Sequence, residues 1–150
     1  MPDRIRLDGR VAIVTGAAGV IGIATMQLLS ERGARIVAVD RLQANVQGAI
    51  SDLPQSAQAL AVAADVTVEN DVQSYVGAAI EKFGTIDIFF NNAGVEGDIA
   101  PITKYSLQAF RKVIDVNIVG VFLGLKHVMP VMLRQNSGSI INSASIAGLT

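Results

Sequence analysis

Short apolar runs alternate along this chain with stretches whose apolar residues recur every three to four positions. "RVAIVTG" (10–16) is rich in β-branched residues and closes on glycine, which predicts a buried strand. In "IGIATMQLLSERG" (21–33) Ile21, Ala24, Leu28 and Leu29 fall at helical spacing, with Gly33 as the stop. "RIVAVD" (35–40) is the second expected strand, and residues 42–53 form a helix that ends before Pro54. "ALAVAAD" (59–65) is the third strand. Thr67 is the expected cap of the next helix, with Glu69 and Asp71 in its first turn. That helix places Val68, Val72, Val76, Ala79 and Phe83 along one face and ends near Gly84. "IDIFFNNAG" (86–94) is a fourth strand and its exit, two helical segments run from about 106 to 134, and "SIINSAS" (139–145) is the fifth strand.

Strand and helix alternate at every step, which is the signature of parallel βαβ units. The expected fold is α/β, a doubly wound parallel sheet of Rossmann type, in one domain over residues 1–150. The 51% hydrophobic content fits strands covered on both faces. Right-handed crossovers bring the carboxyl ends of parallel strands to one rim, beyond which such sheets bind ligands. Those ends are Thr15–Gly16, Asp40, Asp65, Asn91–Gly94 and Ser143–Ser145, polar or glycine positions in otherwise apolar runs.

Charge and composition narrow the partners. A net charge of −1 with no basic stripe argues against nucleic acid. There is no cysteine and one histidine, so neither thiol chemistry nor a zinc spacing is offered, and no metal site is expected. The start, "MPDRIRLDGR", is charged and lacks an apolar signal core. The longest apolar run, "VNIVGVFLGL", reads as too short to span a bilayer and carries Asn117. The expectation is a cytoplasmic protein with no membrane partner.

The turn "TGAAGVIG" (15–22) joins the first strand to its helix. Glycines here let the backbone turn tightly and approach a phosphate, and amides at the helix start donate to it. Asp40 ends the second strand about 20 residues on, where a dinucleotide site needs an acid for the ribose diol. A carboxylate there repels a 2′-phosphate, so NAD is expected over NADP. Arg41 beside it is a possible phosphate receptor but reads more simply as a solvated loop charge.

With "TGAAGVIG", "DV" at 65–66, "NNAG" at 91–94, and Asn117 with "NSASIAG", the chain resembles the short-chain dehydrogenase/reductase family from about residue 8 onward. The resemblance implies that Gly16, Gly19, Ile21 and Gly22 form the phosphate turn and that Asp65 and Val66 hold the adenine. It implies that Asn91, Ala93 and Gly94 pass the adenosine ribose and steady the fourth strand. Asn117 resembles the asparagine that helps hold a relay water. Aligning Asn142, Ala147 and Gly148 with the pattern "N-x-S-S-x-A-G" makes Ser145 the catalytic serine and puts Ser143 on a position that is often aliphatic. Ser145 then polarises and positions, because no histidine lies near it in sequence and no nucleophile elbow surrounds it. One departure stands out. The main branch spaces its glycines "T-G-x-x-x-G-x-G", whereas Val20 sits at the middle glycine and the literal spacing resembles the extended branch of nucleotide-sugar epimerases and dehydratases. "NNAG" and "NSASIAG", at two separate strands, resemble the main branch, and the chain is read with it.

The implied reaction moves a hydride between nicotinamide and a small alcohol or carbonyl substrate, and a proton must move with it. The family does this with a tyrosine four residues before a lysine. Tyr75 is followed at that distance by Ala79 and Tyr105 by Ala109, so neither fits, and His127 reads as structural or interfacial. The chain is therefore expected to be the N-terminal portion of a longer dehydrogenase, its sheet incomplete on the C-terminal side, with little activity alone. "DVNIVGVFLGLKHVMPVML" (115–133) is apolar on most sides, with Gly120 and Gly124 on one face. In the family such a helix commonly pairs with its copy, implying a homo-oligomer, dimer or tetramer; packing on its own sheet is the competing account. Two other readings remain: a non-catalytic dinucleotide module, and a methyltransferase, for which "NNAG" and Asn117–Ser145 would have no purpose.

Overall fold

The computed structural model describes residues 5–54 and 57–145. Strands β1 (Val11–Thr15), β2 (Arg35–Asp40), β3 (Ala59–Ala63), β4 (Ile88–Asn91) and β5 (Ser139–Asn142) form one sheet in the order β3-β2-β1-β4-β5. All the pairings are parallel; Val14, for example, lies opposite Ala38 of β2 and Phe90 of β4. The chain winds outward from β1 to β3, then returns to the other side of β1. The reversal falls between β1 and β4, where doubly wound sheets open a ligand crevice.

Residue alternation along the strands builds two cores. Val11 and Ile13 of β1, with Val37 and Val39 of β2, face α3 (Glu69–Phe83) and α5 (Val121–Gln135). Ala12, Val14, Ile36 and Ala38 point the other way, onto α1 (Val20–Glu31) and α2 (Gln43–Ser51). Every residue of β1 is buried, which accounts for its continuous apolar character.

Several sequence expectations change at this level. In α1 the inward residues are Gly22, Met26 and Ser30, while Ile21, Ala24 and Leu28 are exposed; Leu29 packs partly against the core. The helix is rotated because Gly22 must come close to the end of β1. Thr67 is not the cap of α3: that position is Val68, and Thr67 instead donates its amide and hydroxyl to Asp65. On α3, Val72, Val76 and Ala79 are buried as expected and Tyr75 joins them, whereas Val68 is exposed. Gly84, at φ +79°, ends the helix. The fifth strand is shorter than 139–145, so Ser143–Ser145 extend past its last pairing. The 3₁₀ turn Ile102–Lys104 had no signal in the sequence pattern.

The two helical segments expected over 106–134 are one continuous helix. It comprises α4 (Leu107–Ile114), a π-helical stretch (Asp115–Gly120) and α5, 29 residues in all. This also corrects the reading of its apolar run as too short: by length and composition alone the helix could cross a membrane. Its packing explains part of that character. Leu123, Gly124, Val128, Val131 and Met132 are buried on the sheet side. A Cβ on Gly124 would stand 2.8 Å from Phe89 Cζ, and one on Gly120 2.9 Å from Val66 Cγ2. The glycine face thus packs within the chain itself, Gly124 on β4 and Gly120 on the segment after β3. The opposite side leaves Phe110, Ile114, Ile118 and Phe122 exposed at every fourth residue.

Candidate functional site

The turn after β1 is shaped by what glycine alone permits. Gly16 has φ +65°, and a Cβ there would lie 3.0 Å from Ala93 Cα and 3.1 Å from Asn92 Nδ2. Gly22 is tighter still, since its Cβ would fall 2.3 Å from the Gly16 carbonyl oxygen. Gly19 occupies the N-cap of α1 in extended conformation and brings no side chain to it. The first-turn amides of α1 therefore lack both an intrahelical acceptor and a capping side chain. Val20, where a glycine was expected, is accommodated because its side chain stands in solvent; Ile21 beside it is also exposed.

Asp40 reaches this turn directly. Its Oδ2 accepts from the Ala18 amide at 3.0 Å and its Oδ1 from the Arg41 amide at 2.8 Å. Two strand ends distant in sequence are so held at hydrogen-bond distance. Between them opens a pocket of about 230 Å³. Its wall brings together seven expected residues: Gly16, Asp40, Arg41, Asp65, Val66, Ala93 and Gly94. Val95, Lys112 and Val116 also line it, and of these Lys112 and Val116 were missed from sequence. Val116 immediately precedes the flagged Asn117, but nothing in its residue type marked it. Asp65 is fixed by the Thr67 amide (2.9 Å) and hydroxyl (2.7 Å) on its Oδ1, while its own amide donates to Asp71. A second, open cavity of about 490 Å³ shares Arg41, Asp65, Lys112 and Val116 with the first.

The other expected residues lie around this pocket rather than in its wall. Asn91 is buried, and its amide donates to the Val121 carbonyl (3.1 Å) and to Asn142 Oδ1 (3.2 Å), which makes it a scaffold group between β4, β5 and α5. Thr15, fully buried, accepts on Oγ1 from the amides of Asn92 (2.9 Å) and Ala93 (3.0 Å). Asn117 sits in the π-helical stretch, and both ends of its amide are committed to one residue: Nδ2 donates to the Val95 carbonyl and Oδ1 accepts from the Val95 amide, each at 2.9 Å. Ser145 is exposed, three residues past the end of β5. Ala147 and Gly148, which complete its motif, lie outside the described residues.

The tyrosines and the histidine have other work. Tyr75 is buried in the core, and burial pushes its phenol well above the ordinary range, so it stays protonated. The Tyr105 hydroxyl accepts from the Asp98 amide at 3.1 Å. His127 Nε2 lies 2.8 Å from Glu69 Oε1, which also takes Lys126 Nζ at 2.6 Å; together they clasp α5 to α3. No cluster of three or more metal-ligating side chains occurs among the described residues.

The profile of the short chain dehydrogenase family matches residues 10–150. Levodione reductase of Leifsonia aquatica is 39% identical over 147 residues, covering 96% of this chain and 55% of the relative. The crystal structure of an NAD+-bound xylitol dehydrogenase superposes with a TM-score of 0.94 at 37% identity, over 97% of this chain and 56% of that one. A short chain dehydrogenase/reductase from Burkholderia phymatum in complex with NAD gives a TM-score of 0.92 at 34% identity, over 98% and 53%. The chain thus spans about half the length of the relatives it matches.

Proposed function

The chain belongs to the short-chain dehydrogenase family, and from that premise we propose that it binds NAD for hydride transfer between a small alcohol and its carbonyl counterpart. The observation that carries this is the 3.0 Å bond from the Ala18 amide to Asp40, which sets an acid against a glycine turn at the rim of a pocket. The residues fit a dinucleotide on physical grounds. Gly16 and Gly22 form a cradle that any Cβ would fill, the α1 amides offer unsatisfied donors for a pyrophosphate, and Asp40 offers an acceptor for a ribose diol. Asp65 and Val66 then hold the adenine, with Ala93 and Gly94 along the ribose.

When bound, the nicotinamide supplies the hydride chemistry. This chain's own contribution is binding and orientation. Asp40 fixes the adenosine end and disfavours a 2′-phosphate by charge. Ser145 would donate its hydroxyl to the substrate oxygen and polarise it. The Asn117 side chain is spent on Val95, so it acts as a positioning residue for the pocket wall, and any water-holding falls to the backbone of the π-helical stretch. Tyr75 is buried and stays protonated, and neither Tyr75 nor Tyr105 stands four residues before a lysine, so we assign proton transfer to neither of them. The stripe Phe110, Ile114, Ile118 and Phe122 supports pairing of this helix with its copy in a homo-oligomer.

Calorimetric titration of the wild type and Asp40→Ala with NAD and NADP tests the reading. The wild type should prefer NAD. The variant should lose about tenfold in NAD affinity, as expected for hydrogen bonds to a charged group, and show a narrower preference. No binding of either coenzyme by folded wild-type protein would overturn it.

A further inference from the structure

The motif comparison leaves Ser143 without a role, yet the structure ties it into the site. Its hydroxyl donates to Asn92 Oδ1 at 2.9 Å. Asn92 Nδ2 in turn donates to the Thr15 carbonyl at 3.1 Å. The direction of this chain is forced. A carbonyl can only accept, so Thr15 takes the Nδ2 end of the amide; Oδ1 is left facing Ser143, and the serine must donate. The Thr15 hydroxyl closes the loop by accepting from the Asn92 and Ala93 amides. A polar row therefore crosses the rim from β5 through β4 to β1 and ends one residue before Gly16.

The row holds two parts of the site at once. Asn92 Nδ2 lies against Gly16, 3.1 Å from where a Cβ would be, so moving Asn92 moves the boundary of the phosphate turn. Ala93, next along the chain, lines the pocket. At the other end, Ser143 stands two residues before Ser145. We propose that Ser143 is a positioning residue that clamps the β5 tip to the coenzyme turn, so that coenzyme affinity and the placement of Ser145 depend on the same hydroxyl. An aliphatic side chain at this position cannot donate, and Asn92 Oδ1 would then turn to solvent. The inference rests on the dinucleotide-binding reading given above.

Fluorescence titration with NADH, with amide hydrogen exchange on the free protein, tests it in the 150-residue chain. Ser143→Ala should weaken NADH binding about three- to tenfold, the range for losing one hydrogen bond. The same variant should speed exchange at the Asn92 and Ala93 amides while the β1 amides hold. Ser143→Thr keeps the donor and should restore both. Wild-type affinity in Ser143→Ala, or equal loss in the alanine and threonine variants, overturns the clamp while leaving the dinucleotide reading intact. A fall in melting temperature with unchanged affinity also overturns it, since a merely structural role would do only that. Failure of the wild type to bind NADH sinks the dinucleotide reading and the clamp with it.

Discussion

The two ends of the sheet rim differ in how they are held. Around β1 and β2 the strands are buried on both faces, and their tips are cross-bonded through Asp40, Ala18, Thr15 and Asn92. At β5 three of the four residues are exposed, including Ile141 at 45%, and Ser145 stands beyond the last pairing. The β1–β2 side is therefore the more tightly held, and it is the side proposed to grip a coenzyme. The side that carries the serine gains its order from a few contacts, of which the Ser143–Asn92 bond and the Asn91–Asn142 bond reach directly into the rigid part.

The contrast can be broken by truncation on each side. Phe89→Ala, at a fully buried position between β1 and β5, should cost about 3–5 kcal/mol in denaturant unfolding. Ile141→Ala, on the neighbouring strand one residue past Phe89's partner Ile140 and exposed, should cost about 0.5 kcal/mol. Equal costs would erase the difference. Next in size, Gly22→Ala must push a Cβ against the Gly16 carbonyl, which is backbone and yields poorly. About 1–3 kcal/mol of stability should go, and NADH affinity with it. A fully stable, NADH-binding Gly22→Ala would show that the turn is slacker than its geometry implies.

The smallest expected effect lies away from the rim. Lys126, then His127, hold the Glu69 carboxyl below its ordinary value of 4.5 by hydrogen bonding. A depressed folded pKa means that this contribution is present above about pH 4.5 and is lost as pH falls through the folded value. Melting temperatures of wild type and Glu69→Gln should therefore differ at neutral pH and converge in acid. The clasp is exposed, so the difference should be slight. A constant gap across that range would mean that the carboxylate charge is not what joins α3 to α5.

β1 and β2 were legible because burial on both faces leaves nothing but apolar residues between two punctuating ends. β2 was read to the residue, and Asp40 was found because a charge at the end of such a run has few reasons to be there. Helix faces were harder. Small residues carry little hydrophobic signal, so the inward Gly22 and Ser30 of α1 lost out to exposed Ile21 and Leu28. The Thr67 cap failed for a related reason, because a local side-chain bond to Asp65 competes with the capping geometry and leaves no separate trace in composition. Within the site, the residues that form its wall were partly visible as strand-end polarity. Lys112 and Val116 were not, since the helix that carries them is brought to the rim by tertiary packing alone. The π-helical stretch was equally hidden: its residues look like continuous helix, and the double bond from Asn117 to Val95 appears only once loop and helix are brought together.

The central claim is that the rim over β1, β2 and β4 is where an adenine dinucleotide rests. Residue-resolved amide NMR of the chain titrated with NAD tests it most directly. Saturable shifts should cluster at Gly16–Gly22, Asp40–Arg41, Asp65–Val66 and Ala93–Val95, with the Glu69–His127 clasp unmoved. Shifts that are absent, or that gather on the α4–α5 face instead, would contradict it.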